Sequence, residues 1–141
     1  MHSVSSTSEA PNIRGHSRPG FLRDETLVDI FRDTARRLPE KIALTLIGSG
    51  EALTYRELDR RSDLIAAALA ARGVKRGDYV GLWLRRSLDL HVALLGILKS
   101  GAAYLPFDAD APSERVASCL ADCVAGRRAD GVLRFVRGRA Q

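Results

Sequence analysis

Apolar residues recur along the chain with two periods, and turn residues stand where one period gives way to the other. Leu27, Ile30, Phe31, Ala35 and Leu38 fall on one face at helical spacing. Thr26, with Asp29 three residues on, makes a capping-box start with the acid in the place usual for glutamate, and Pro39 ends the helix. Ile42 to Ile47 and Ala52 to Tyr55 flank Gly48-Ser49-Gly50, so the pair predicts a β-hairpin. Thr54 and Glu57 repeat the capping box for a second helix. Leu58, Ile65 and Leu69 mark its buried face with Ser62 between them, alanines keep it thin, and Gly73 stops it.

Beyond the charged turn Lys75-Arg76-Gly77-Asp78 the pattern becomes more apolar. Tyr79 to Leu84 is a continuous run of strand length, as expected for a strand covered on both faces. Leu88, Val92 and Leu95, together with Leu90, Leu94 and Ile97, give the next helix two oily faces, so it packs on more than one side. Lys99 suits the negative end of its dipole and Gly101 its exit. Ala102 to Leu105 predicts a short buried strand closed by Pro106, which cannot continue as a central strand. Pro112 opens another helix, with Glu114 in its first turn and Val116, Cys119, Leu120 and Cys123 at helical spacing. Strand, helix, strand and helix in succession predict parallel strands joined by crossover helices. The fold class is α/β: a partial parallel-sheet subdomain preceded by a β-hairpin.

Composition changes this picture at the two ends. Residues 1–20 are rich in serine with almost no large apolar side chain, which predicts a flexible leader. The net charge is +5, but five arginines (Arg127, Arg128, Arg134, Arg137 and Arg139) against the single acid Asp130 give the segment from Val124 onward +4. The basic balance therefore describes a tail, and nucleic acid is not an expected partner of the whole chain. No apolar stretch is long enough to span a membrane, and the N-terminus has no apolar core of the secretory kind, so the expected setting is cytoplasmic.

Candidate chemistry is sparse. Cys119 and Cys123 are too few for a zinc or iron–sulfur site, and His2, His16 and His91 lie far off, so both thiols are expected free and at least half-buried. His91, with no nucleophile or acid in evident reach, is expected to be an ordinary packed histidine. Asp108 and Asp110 read as turn-formers rather than metal ligands. The glycines at 48 and 50, 96 and 101, and 126 and 131 lack the lysine and hydroxyl of a GxxxxGK[ST] phosphate loop.

Leu98-Lys99-Ser100-Gly101-Ala102-Ala103-Tyr104-Leu105-Pro106-Phe107-Asp108, followed by Pro112 and Arg115, closely resembles the second core motif of adenylation domains in nonribosomal peptide synthetases. These domains belong to the AMP-forming synthetases and ligases. Leu53-Thr54-Tyr55-Arg56-Glu57-Leu58 resembles the first core motif, at a suitable separation. Within the family the chain is similar to synthetases that polymerise basic amino acids, such as the poly-lysine type. The resemblance covers residues 22–123, the N-terminal portion of an adenylation domain, and leaves 124–141 as a basic tail off the family pattern.

The resemblance implies activation of an amino acid by ATP, with magnesium, to an aminoacyl-adenylate and pyrophosphate. It also implies that the reactive parts lie elsewhere in the family: the Ser/Thr/Gly-rich phosphate loop ending in lysine, the adenine and amino-acid pockets and the catalytic lysine all follow the second motif. No catalytic, cofactor-binding or metal residue is therefore assigned here, and no cofactor is expected on these residues. The expectation is a truncated or frame-shifted ligase, inactive alone, whose partners are the missing remainder of the domain or a second copy. The alternative is a non-enzymatic binding or regulatory module using the arginine-rich tail. Truncation is further expected to leave apolar surface exposed on the Tyr79–Leu84 strand and the Leu88–Leu98 helix. The amino-acid substrate is not readable, because its pocket belongs to the later motifs.

Overall fold

The computed structural model describes residues 19–21, 24–125 and 134–137. A short 3-10 turn, Pro19–Phe21, precedes α1 (Leu27–Arg37), the strands β1 (Ile42–Thr45) and β2 (Ala52–Thr54), and α2 (Tyr55–Ala71). β3 (Tyr79–Trp83), α3 (Leu88–Lys99), β4 (Ala103–Phe107), α4 (Ser113–Ala125) and β5 (Arg134–Arg137) follow. Residues 1–18 of the expected leader at 1–20 and the tail arginines Arg127, Arg128 and Arg139 lie outside the described residues, while Pro19 and Gly20 belong to the 3-10 turn.

Both expected capping boxes form. Thr26 Oγ1 accepts from the Asp29 amide while Asp29 accepts from the Thr26 amide, and Thr54 and Glu57 repeat the exchange at 3.2 and 2.9 Å. These bonds to Thr54 hold the Glu57 carboxyl below its ordinary value of 4.5. A lowered folded-state pKa stabilises above the unfolded value, and the contribution is lost as pH falls through the folded value. The stability advantage of the natural chain over Glu57→Gln should therefore close in melts taken from neutral to acid pH; an advantage unchanged by acid would remove the cap as its source. Thr54→Ala should cost about 1 kcal/mol, read as a shift in urea midpoint.

β1 and β2 pair antiparallel as the expected hairpin, with a register irregularity between Ile42 and Leu44. The second sheet is parallel, in the order β4-β3-β5. Ala103 N donates to Asp78 O at 2.8 Å, and in a parallel ladder alternate residues face the same neighbour. Leu105 and Phe107 therefore also face β3, while Tyr104 and Pro106 turn to the outer edge. This corrects the expectation of a buried strand ending at Pro106: β4 runs through Pro106 as an edge strand, with Ala103, Tyr104 and Pro106 exposed. The donor that proline lacks falls where no neighbour needs it. On the other side of β3, Arg134–Arg137 supplies a strand from within the basic tail.

α3 is the centre of packing. Its Ala93 and Ile97 join Val80 and Leu82 of β3, Leu69, Val74 and Ala102 in one cluster. Val92 and Leu95 join Leu53 and Leu58 in another, against half-buried Phe31, Ala43 and Leu44. This is the two-sided helix predicted from its pattern. α2 crosses α3 closely at Gly96, where a Cβ would lie 2.5 Å from Ile65 Cβ and 3.0 Å from Ser62 O. Ser62 is fully buried there, its hydroxyl donating to Leu58 O at 2.7 Å.

The expectation of exposed apolar surface on β3 and α3 is not met, since Val80 and Ile97 are both wholly buried. α2 covers α3, and β4 and β5 flank β3. Among the described residues apolar exposure lies instead on Leu27, Ile30, Leu38 and Ile42, on Ile47 in the hairpin turn, on Leu64 of α2 and on Tyr104 of the edge strand. α1 carries a wider apolar arc than its neighbours cover: Ala35 is buried and Phe31 half-buried, whereas Leu27 remains 71% exposed.

Candidate functional site

Parallel α/β sheets bind ligands beyond the carboxyl ends of their strands, where helix-leading loops converge. Here those ends are Trp83 and Phe107, followed by the loops 84–87 and 108–112. The two loops are tied to each other. Trp83 Nε1 donates to Ala109 O at 3.1 Å, and the Arg85 guanidinium pairs with Asp110 at 2.7 Å across the surface. Asp108 accepts from the Asp110 amide at 3.1 Å, and Ala111 N donates to Asp108 O at 3.0 Å. Ser87 Oγ caps α3 by accepting from Leu90 N and itself donates to Arg85 O. This edge holds a tryptophan, two arginines, two aspartates and a serine, with no nucleophile–base pair among them.

The expected roles fall out unevenly. Asp108 and Asp110 do form the turn, as their spacing suggests, and Asp110 gains an ion pair that spacing does not show. His91 is not packed; it is exposed, with Nδ1 donating to Ser87 O at 3.0 Å in the first turn of α3. Cys119 is free and exposed rather than buried, lying off the side of α4 that buries Val116; the side chain of Cys123 lies outside what the structure describes. In the Gly48-Ser49-Gly50 turn the Gly50 amide donates to Leu46 O, and the Glu51 amide that follows donates to Ser49 Oγ. Gly126 and Gly131 fall outside the described residues. Among the described residues no group of three or more His, Cys, Asp or Glu could hold a metal ion, and no helix is long and apolar enough to cross a membrane.

Sequence reasoning misses the most constrained charged residue. The pattern makes Lys99 a dipole partner in the last turn of α3, yet its side chain is wholly buried. Nζ donates to the Asp59 carboxylate at 2.5 Å, the Asp63 carboxylate at 2.7 Å and Asp59 O at 2.9 Å. All three ammonium donors are satisfied, and the charge lies 5.5 Å from the Phe31 ring centre. Aspartates four apart on α2, opposite a lysine at the end of a helix, are the one sequence signal that could indicate it.

The sequence model of the family described as "AMP-binding enzyme" matches residues 31–126, more than half of the chain. The chain belongs to the AMP-binding enzyme family. Within it the likeness is to the adenylation domains of nonribosomal peptide synthetases. The chain is 50% identical over 113 residues to the delta-poly-L-ornithine synthetase of Acinetobacter baumannii, covering 80% of this chain and 8% of that protein. It is 41% identical over 103 residues to tyrocidine synthase 2 of Brevibacillus parabrevis, covering 73% of this chain and 3% of that one. Among solved structures, the N-terminal subdomain of Klebsiella oxytoca NpsA in complex with 3-hydroxyanthranilyl-AMSN superposes with a TM-score of 0.62 at 29% identity, over 77% of this chain and 26% of that one. The nonribosomal peptide synthetase FmoA3 bound to AMPPNP gives 0.66 at 35% identity, over 79% and 13%. The chain thus spans less than a tenth of the poly-ornithine and tyrocidine synthetases and about a quarter of the NpsA subdomain structure. Both core motifs fall inside the matched stretch, and the structure gives them scaffolding parts: the first caps α2, and the second runs from the end of α3 through edge strand β4.

Proposed function

We propose that this chain is the opening segment of an amino-acid-activating adenylation domain, and that it carries out no adenylation by itself. In the reaction such a domain performs, a substrate carboxylate oxygen attacks the α-phosphorus of ATP, forming the acyl-adenylate and releasing pyrophosphate. That chemistry needs donors around the triphosphate, a carboxylate for the divalent metal and a cation near the forming bond. The observation that carries the reading is the carboxyl edge of the sheet. There Arg85 pairs with Asp110 and Asp108 accepts from the Asp110 amide, and the buried cation Lys99 is held inside the helical layer by Asp59 and Asp63.

The role left to these residues is to set the first parallel strands and the helices over them, on which a phosphate loop and substrate pockets would be mounted. The likeness to delta-poly-L-ornithine synthetase supports a basic amino acid as the substrate class of the whole domain. The pairing of Arg134–Arg137 with β3 supports a sheet-forming role for that part of the basic segment rather than a free binding arm.

A chimera tests this. Residues 24–125 of this chain, placed in the adenylation domain of delta-poly-L-ornithine synthetase in exchange for the matching stretch, should preserve ornithine-dependent ATP–pyrophosphate exchange with the host's substrate preference. A folded chimera whose preference shifts to another amino acid would show that these residues shape the pocket, against the proposal.

A further inference from the structure

We propose that the uncovered face of α1 is a self-association surface, on which two copies of this chain pair with their α1 helices antiparallel. Leu27, Ile30, Thr34 and Leu38 follow one another at three- and four-residue steps along that face, and Ile42 of β1 is a further exposed apolar side chain. Leu27, Ile30, Leu38 and Ile42 are 71, 47, 43 and 58% exposed, whereas the neighbouring Ala35 is buried. The single polar group of the stripe is already satisfied, since Thr34 Oγ1 donates to Ile30 O at 3.0 Å, and it can enter an apolar contact without losing a partner.

The stripe is self-complementary. In an antiparallel pair centred between Ile30 and Thr34, Ile30 of one copy meets Thr34 of the other and Leu27 comes within one residue of Leu38, each twice by symmetry. The charges agree with this direction. Asp24, Glu25 and Asp29 stand at the amino end of α1, and Arg36, Arg37 and Lys41 at its carboxyl end, so antiparallel pairing brings opposite charges and opposite dipole ends together. Parallel pairing would set like against like. The Arg37–Asp33 pair at 2.9 Å lies beside the stripe, where it can form part of a polar rim.

The test is sedimentation velocity of the full chain over a range of concentrations, with far-UV circular dichroism to confirm folding. The natural chain should form a dimer that dissociates on dilution. Leu27→Glu and Leu38→Lys change exposed positions at the helix ends where the new charge suits the dipole, so both should fold; each should raise the dimer dissociation constant by about tenfold or more. An equimolar mixture of the two should recover dimer, because antiparallel pairing sets the new glutamate opposite the new lysine. A natural chain monomeric throughout, assembly indifferent to both variants, or a mixture that does not recover would each overturn the proposal. So would a monomer that takes up the rest of an adenylation domain, added as a separate polypeptide, only while Leu27 is intact, which would assign the face to that remainder.

Discussion

Lys99→Met is expected to lower the unfolding free energy by about 2–3 kcal/mol, read as a drop in urea midpoint with the slope unchanged. The lysine side chain is wholly buried, and its removal leaves the Asp59 and Asp63 carboxylates one helical turn apart without their shared cation. Breaking a buried pair typically costs about 3–5 kcal/mol. The lower figure applies because Asp59 and Asp63 keep 35 and 55% of their side-chain surface in water, which screens the stranded charges. Adding Asp59→Asn and Asp63→Asn to Lys99→Met should return part of the loss. A single-variant cost below about 0.5 kcal/mol would make the cluster an ordinary surface pair and remove it as the tie between α2 and α3.

Gly96→Ala is expected to destabilise despite the better helix propensity of alanine, worth about 1 kcal/mol. The new methyl would lie 2.5 Å from both Cβ and Cγ2 of Ile65, and 3.0 Å from the Ser62 carbonyl. One contact is with Cβ itself, fixed to the α2 backbone, so no rotamer change in Ile65 relieves it and the helices must separate. Overpacking of this kind costs about 1–3 kcal/mol, enough to outweigh the propensity gain, and Gly96→Leu should abolish cooperative unfolding. The Ile65→Ala/Gly96→Ala double variant should stay below Ile65→Ala in urea midpoint. Equal or greater stability of Gly96→Ala over the natural chain would show that the crossing has slack the structure does not indicate.

What is legible in the sequence is local. Thr26 and Asp29, and Thr54 and Glu57, sit three residues apart, and each pair forms the capping box its spacing announces. The two-sided pattern of α3 reports two core clusters, because a helix face is a property of its own residues. Properties that depend on distant partners are not legible. Lys99 meets aspartates 36 and 40 residues away, and nothing beside it distinguishes that role from a dipole contact. Pro106 reads as a strand terminator because its missing donor matters only toward a neighbour, and strand order decides which way it faces. The expectation that no reactive group lies here rests on family motifs rather than on residue patterns, and the ties at the carboxyl edge are not legible either: Arg85 pairs with Asp110, Asp108 accepts from the Asp110 amide and Trp83 holds the adjacent loop.

The proposed function is that this chain supplies a scaffold for adenylation and not its reactive groups. The most direct measurement is ATP–pyrophosphate exchange by the purified, folded chain with magnesium, across the standard amino acids and ornithine. The account predicts exchange at the level of the enzyme-free control for every amino acid. Exchange above that level that depends on an added amino acid and survives repurification would contradict it, because the chain would then hold a working site among residues that form caps, turns and core.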